Sequence, residues 1–232
     1  MKPFTTRPQD SASDSNAQQF LMSQFLLGKA FITLALVTSV NEDGTVVSVK
    51  PMVEGFTGGG DVIQNSIIYG VPVWRLQRGN SAVKMKPVPM DIGLIAICDR
   101  DITSVKKSKS PALPGSNRNH SYSDAIYLGG VLNAEPSQYI DFKDDGIDVV
   151  SPLRVNVNGQ SVSITAEDQV SVSANAIILN GPVIQGEGNR GGNATFGGSV
   201  TASGDVVGSG ISLSTHTHSG VQSGGSNTQG PQ

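Results

Sequence analysis

Cysteine and long apolar runs are scarce in this sequence of 232 residues. Its one cysteine, Cys98, lies in the apolar run Ile95–Cys98, so we expect a small buried side chain and no disulfide within one chain. No apolar stretch approaches the roughly 20 residues that a membrane span needs. The N-terminus also lacks the basic and apolar regions of a signal peptide. These absences predict a protein that is made and kept in soluble form.

Excess positive charge is missing too, since the formal net charge is -3 and the pI is near 5.5. Proteins that coat nucleic acids normally carry a clustered basic surface, so no nucleic-acid partner is expected. The basic run Lys106–Lys109 lies among Ser and Pro, which predicts a solvated loop.

Sequence motifs of enzymes are absent as well. There is no His-Glu-x-x-His, no pair of cysteines and no G-x-S-x-G serine elbow. His120 lies near Asp124, but without a nucleophile motif it is interpreted as a loop histidine. The run from Gly186 to Gly191 has G-x-G-x-x-G spacing, yet no helical pattern follows it, so a turn is favoured over a dinucleotide site. We expect neither an enzyme nor a small-molecule substrate.

Charge and aromatic side chains are unevenly distributed, and this divides the chain. Of the 16 basic and 19 acidic residues, those after Val150 are only Arg154, Glu167, Asp168, Glu187, Arg190 and Asp205. Phe196 is the one aromatic residue of that half, where Gly, Ser, Asn, Thr and Val dominate. Two architectures therefore share one chain.

The first half predicts one short helix followed by a β-rich block. Residues 15–29 place Phe20, Leu21, Phe25 and Leu26 at helical spacing, with Ser15 as the expected N-cap and Gly28 near the end. The helix lacks the Lys and Arg of an interfacial helix, which favours a packing or docking element. Strands are expected at 31–40 and 45–50, joined by a turn that ends in Asp43-Gly44, and at 61–69, 71–76, 82–87 and 93–98. Closely spaced short strands indicate a small barrel or sandwich.

The second half shows short segments in which apolar residues alternate with polar ones. The pairs are Val155/Val157, Val162/Ile164, Val170/Val172, Ala176/Ile178, Val200/Ala202 and Ile211/Leu213. Such strands hold too few large side chains to close a core within one chain, and a single copy would expose apolar faces and unpaired edges. Three copies wound about one axis resolve this. We therefore expect an intertwined trimeric β-helix.

Two of the three histidines, His216 and His218, lie one residue apart near the C-terminus. In an extended strand this spacing puts both imidazoles on one face. Because no Cys, Asp or Glu follows them, further metal ligands would come from other copies of the chain. Two copies would offer four nitrogens, which suits zinc, and three copies would offer six, which suits iron or nickel. The alternative reading is the polar end of a strand in a disordered tail.

Several segments resemble, in order, the N-terminal domain of the central spike proteins of contractile-tailed phages. They are residues 36–52 around VTSVNEDGTVVSVKPM, Val71-Pro72-Val73, residues 90–102 and residues 119–125. The ending HTHSGVQSGGSNTQGPQ is similar to the apex of the same spikes. The resemblance implies an OB-type barrel that serves as a trimeric adaptor. It also implies a narrow β-helix whose apex holds one iron ion per trimer on the three-fold axis, bound by His216 and His218, with zinc and nickel as lesser alternatives.

The fold class expected from pattern and resemblance together is all-β. The expected domains are a leader and helix at 1–30, an OB-fold domain at 31–135, a trimeric β-helix at 136–210 and a metal-binding apex at 211–232. Residues 99–102 and 123–125 are expected to be structural.

The function that the resemblance implies is that of a structural virion protein at the tip of the tail baseplate. Such a spike pierces the outer membrane of a Gram-negative host when the sheath contracts. It is assembled in the host cytoplasm and docks to a baseplate hub or tail tube protein. The tip of a phage-derived particle or of a secretion system is a variant of this hypothesis.

Two other classes of function stay open from the sequence. One is a trimeric receptor-binding adhesin at a tail-fibre tip, although such tips usually carry aromatic or charged contact residues, and residues 215–232 have none apart from the histidines. The other is a metalloenzyme, which is disfavoured because six imidazoles leave no open position on the metal.

Overall fold

The computed structural model describes residues 8–57, 59–186, 191–220 and 224–225. The chain divides into two units, residues 1–157 and 158–232. Three predicted features lie partly outside the described residues. They are the start of the leader, the centre of the turn predicted at 186–191 and most of the tail after residue 220.

Strands predominate over helices in the described residues. The helices are α1 (Asp14–Leu27) and α2 (Thr103–Ser108), with short 3-10 helices at Pro8–Ser11 and Tyr122–Asp124. The strands are β1 (Ile32–Val40), β2 (Val46–Pro51), β3 (Gly55–Phe56), β4 (Val62–Ile63), β5 (Ile68–Pro72), β6 (Gln77–Arg78), β7 (Ser81–Ala82), β8 (Ile92–Ile97), β9 (Ala125–Gly130), β10 (Tyr139–Lys143), β11 (Gly146–Val150), β12 (Val207–Gly208) and β13 (Ile211–Ser212).

A five-stranded antiparallel sheet in the order β5-β2-β1-β8-β9 forms the centre of the first unit. The register places Val37 opposite Val49 and Ile95 opposite Tyr127. A parallel bridge between Val73 and Tyr127 links the two outer strands, so the sheet curls and closes on itself. This closure agrees with the barrel expected from the resemblance, and the predicted all-β fold is confirmed.

The core lies inside the curled sheet and follows the alternation of its strands. Ala35 and Val37 of β1, Val47 and Val49 of β2 and Ile95 of β8 are buried, while their neighbours along each strand are more exposed. The turn before β2 contains Gly44 at φ +64, as the predicted Asp-Gly turn requires. Cys98, expected to be buried, is only half-buried because it lies just after β8 ends.

Some predicted strands are shorter in the structure. Within residues 61–76 only β4 and β5 form, and of residues 82–87 only Ala82 belongs to a strand. Within the predicted strands 71–76 and 82–87, the side chains of Trp74, Leu76, Val83 and Met85 are exposed. The predicted loop at 106–109 is also wrong for its first residues, since Lys106 and Lys107 belong to α2.

Helix α1 confirms the predicted helix but begins earlier. Its N-cap is Ser13, whose hydroxyl accepts a hydrogen bond from the N–H of Asn16, so the predicted cap Ser15 is wrong by two residues. The helix ends at Gly28 as predicted, but it buries none of its residues. No helix among the described residues is both long and apolar enough to cross a membrane.

The region from Ser151 to Val206 contains no helix or strand within its described residues, 151–186 and 191–206. The apolar residues whose alternation predicted strands are exposed, among them Val157, Ile164, Val172 and Ile178. One chain therefore does not pair these segments with each other, and their pairing between chains remains a prediction.

Candidate functional site

A hydrogen-bonded turn organises the segment before the two histidines. The strands β12 and β13 pair Val207 with Ser212, and Asp205 lies just outside this pair. One carboxylate oxygen of Asp205 accepts hydrogen bonds from the N–H of Ser214 at 3.0 Å and from its hydroxyl at 2.9 Å. Hydrogen bonds from Ser212 and Ser214 lower the pKa of Asp205, because they favour the charged carboxylate.

The chain then turns back on Ser212 before it reaches the histidines. The N–H of Thr215 donates to the hydroxyl of Ser212 at 3.0 Å, and the N–H of His216 donates to its carbonyl at 3.2 Å. The strand predicted to run through the histidines ends at Ser212 instead, because these bonds curl the backbone into a turn. His216 and His218 follow this turn in a segment without helix or strand and are exposed.

The structure brings the two predicted ligands together. The ring centroids of His216 and His218 are 5.1 Å apart, and the ring planes meet at 78°. With metal–nitrogen bonds of about 2.1 Å, two imidazoles in adjacent positions on one ion have centroids about 5 Å apart. The pair is therefore spaced as two ligands of one metal ion.

The hydrogen bonds of His216 leave the nitrogen needed for a metal free. Its Nδ1 lies 2.9 Å from the carbonyl oxygen of Ser212 and 3.2 Å from that of Leu213. A carbonyl can only accept, so Nδ1 carries the proton and Nε2 keeps its lone pair. Backbone carbonyls commonly orient metal-binding histidines in this way.

One chain does not complete a metal site within the part that the structure describes. No group of three or more His, Cys, Asp or Glu side chains there is arranged to hold an ion. Two imidazoles fit a metal only as part of a larger donor set.

The supporting residues Asp205, Ser212 and Ser214 were missed at the sequence level. Asp205 is the last carboxylate before the histidines, and a lone acid amid Ser, Thr and Gly predicts turn hydrogen bonds rather than a surface charge. That signal could have identified it.

A second cluster of charged side chains is structural. Asp101 and Asp124 are buried, and Arg118 contacts both, with Nη2 2.8 Å from Asp101 and Nε 2.7 Å from Asp124. Hydrogen bonds from Thr103 and Ser116, with the charge of Arg118, hold the pKa of Asp101 at about 2. Bonds from Arg118 likewise lower the pKa of Asp124. The carboxylates are fully engaged, which agrees with the structural role expected for 99–102 and 123–125.

His120 is the remaining histidine, and it lies in a loop as predicted. Its backbone has φ +47, and its ring lies 4.7 Å from the ring of Phe31. Its backbone carbonyl accepts from the N–H of Ala30 at 3.0 Å, so this loop is fixed to the chain segment that leads into β1.

Comparison with known proteins bears on the C-terminal segment. Residues 210–232 match the family model described as the GpV Apex motif, which includes both histidines of the site. The comparison with curated proteins found no match. The match at the C-terminus supports the resemblance to phage central spike proteins, which are structural proteins of the tail tip.

Proposed function

We propose that three copies of the chain form the membrane-piercing spike at the tip of a contractile tail baseplate. The barrel of each copy docks to the baseplate hub or tail tube protein. The C-terminal apex is the first part to meet the outer membrane of the host when the sheath contracts. The observation that carries this proposal is the GpV Apex match at residues 210–232.

The exposed side chains of the second half support a trimer. Residues such as Val157, Ile164 and Val172 alternate with polar residues, are exposed, and pair with no strand among the described residues. Extended segments gain stability only when their N–H and C=O groups and their apolar faces find partners. Three intertwined copies supply both, since small Val and Ile side chains fill a narrow central core.

The histidine pair supports a metal at the apex. His216 and His218 of each copy would hold one iron ion, with six imidazole nitrogens in all. A bound ion supplies a cross-link among three chains at the end where strand fraying would otherwise begin. The residues of this chain prepare the site: Asp205 and Ser212 shape the turn, and the Ser212 carbonyl orients the His216 ring.

Metal analysis and molecular mass test the proposal together. The full-length protein is expected to contain about one iron per three chains and to have the mass of a trimer by light scattering. The double variant His216→Ala/His218→Ala is expected to lose the metal.

His120→Ala is the matched control, because it removes the one other histidine, far from the apex in sequence, and is expected to retain the iron. A metal-free monomer in the wild-type preparation would contradict the proposal. Retention of iron by the double variant would contradict the assignment of its ligands.

A further inference from the structure

An apolar cavity of about 310 Å³ lies at one end of the barrel, between the segment 73–87 and the end of β9. Its walls include Trp74, Leu76, Val83, Met85 and Tyr127. Trp74 is 55% exposed and Met85 is 81% exposed, so apolar surface continues outside the cavity. Exposed Trp and Met around a concave apolar site are typical of a protein interface.

Two cations hold the wall of the cavity in place. Arg75 donates to the carbonyl of Asp43 at 3.2 Å, and Lys86 donates to the carbonyl of Glu42 at 2.8 Å. Both bonds tie the wall to the β1–β2 turn. The cavity is therefore formed before anything binds, which lowers the cost of binding.

Tyr127 belongs to the wall of the cavity, and its hydroxyl is buried. Tyr127 is 1% exposed, and its buried hydroxyl finds no hydrogen-bond partner in the part of the chain that the structure describes. Burial, together with the charge of Asp91, raises the pKa of Tyr127, so the phenol is neutral at physiological pH. This hydroxyl is covered by its own chain, so the contact that the cavity offers to a partner is apolar.

Helix α1 exposes an apolar surface of its own. Leu21, Met22, Phe25, Leu26 and Leu27 are all exposed on it, and the helix buries none of its residues. It is anchored at the opposite end of β1 from the cavity. There Lys29 bonds to Asn119 and the N–H of Ala30 donates to His120, whereas Val37, farther along β1, bonds to Asp91 beside the cavity.

We propose that α1 of one copy inserts into this cavity on a second copy. Leu21 and Phe25 are one turn apart on one helix face, so both can contact the apolar wall of the cavity. Residues 15–28 carry no charge, so insertion buries none. One contact thus accounts for two unpartnered surfaces of the same chain. Repeated around a three-fold axis it closes a ring, and in this respect it rests on the trimer proposed above.

The one tryptophan of the chain, Trp74, reports directly on this contact. Acrylamide quenching of its fluorescence would be measured on the full-length trimer, on Leu21→Asp and on Ser23→Asp. Ser23 is the matched control, since it is also exposed and lies on the other side of the helix. Leu21→Asp is expected to raise the quenching constant severalfold, and Ser23→Asp to leave it at the wild-type value. The unfolding midpoint of each variant verifies that the barrel is intact.

Mixed trimers establish which copy supplies the helix. Chains with Trp74→Phe keep the helix but emit no tryptophan signal, and chains with Leu21→Asp keep Trp74 but have a defective helix. Refolding them together is expected to restore protection of Trp74. Failure of mixing to restore it would assign the helix to its own chain and overturn the proposal. Equal quenching of wild type and Leu21→Asp would also overturn it, while a light-scattering mass of three chains would leave the trimer itself standing.

Discussion

Arg118 and Asp124 form a two-point contact, with Nε 2.7 Å from one carboxylate oxygen and Nη2 3.0 Å from the other. Asp124 is fully buried, and its oxygen Oδ1 also accepts from the N–H of Ile102 at 3.1 Å. This pair joins the loop that precedes β9 to the chain segment that follows β8.

The first prediction concerns this pair. Asp124→Ala is expected to lower the free energy of unfolding by about 2–4 kcal/mol, because the Nε–H of Arg118 and the backbone N–H of Ile102 lose their acceptor. Arg118→Lys is also expected to destabilise, since an ammonium cannot bond both carboxylate oxygens and Asp101 in one geometry. Chemical denaturation measures both. Arg100→Lys, at an exposed arginine nearby, is the control and is expected to leave the midpoint unchanged.

A second prediction is a loss of barrel stability in acid. The folded-state pKa of Asp101 is about 2, and that of Asp124 is also lowered, whereas an unfolded aspartate titrates near 3.9. A lowered pKa means that the folded state holds fewer protons, so the stabilisation is complete above about pH 4 and is lost as the pH falls towards 2. Thermal unfolding measured across this range is expected to show a falling Tm. In Asp101→Asn this part of the pH dependence should shrink, and an unchanged profile would contradict the assignment.

The third prediction uses the close approach of β8 to Tyr127. A Cβ added at Gly93 would overlap the Tyr127 ring and the carbonyl of Gly129. Gly93→Ala is therefore expected to destabilise the barrel by about 1–3 kcal/mol, as overpacking of a core does. Gly146→Ala is the matched control, since nothing lies within 4 Å of its added methyl group. A wild-type midpoint for Gly93→Ala in urea would show that the ring can move aside.

A fourth prediction separates the metal ligands from the residues that position them. Asp205→Ala removes the acceptor of the Ser214 N–H and hydroxyl bonds, but no proposed ligand. Iron affinity is expected to fall about 10–100-fold, the usual cost of losing an outer partner of a metal site. Competition with a chelator measures it. Asp168→Ala, which removes another carboxylate of the same half of the chain, is expected to retain the wild-type affinity.

The fifth prediction tests piercing in the virion. Deletion of residues 200–232 removes both histidines and the whole apex motif. Phage particles assembled with this chain are expected to adsorb to the host but to lose infectivity by orders of magnitude. Wild-type infectivity would contradict the piercing role, and loss of adsorption would favour the receptor-binding alternative.

Sequence patterns predicted the central strands well, because burial and local preference agree there. Residues 31–40 and 45–50 are both rich in the β-branched and apolar residues that strands favour, and the Asp-Gly turn between them favours a hairpin. The pattern failed at Trp74, Leu76, Val83 and Met85, where apolar alternation marks an exposed surface instead of a core. Alternation reveals a shared face of a strand, but it does not reveal what covers that face.

Only part of the candidate site was predictable, because a sequence shows local spacing but not which segments meet in space. The spacing of His216 and His218 is visible in the sequence, and so is the isolation of Asp205 from other charges. The cluster of Asp101, Arg118 and Asp124 was not foreseen as one unit, because a buried ion pair depends on three segments meeting in space. Its two acidic segments were expected to be structural, but Arg118 gave no local signal.

The exposed apolar residues between Ser151 and Val206 have a kinetic consequence. A barrel that buries its own core folds in a reaction of first order, at a rate independent of how many chains are present. In the trimer proposed above, the segment beyond it becomes ordered only when chains meet, so the rate of that step rises with concentration. Newly made chains would thus wait as folded barrels with open extensions. The speed of maturation would be set by how fast the host cell produces the protein.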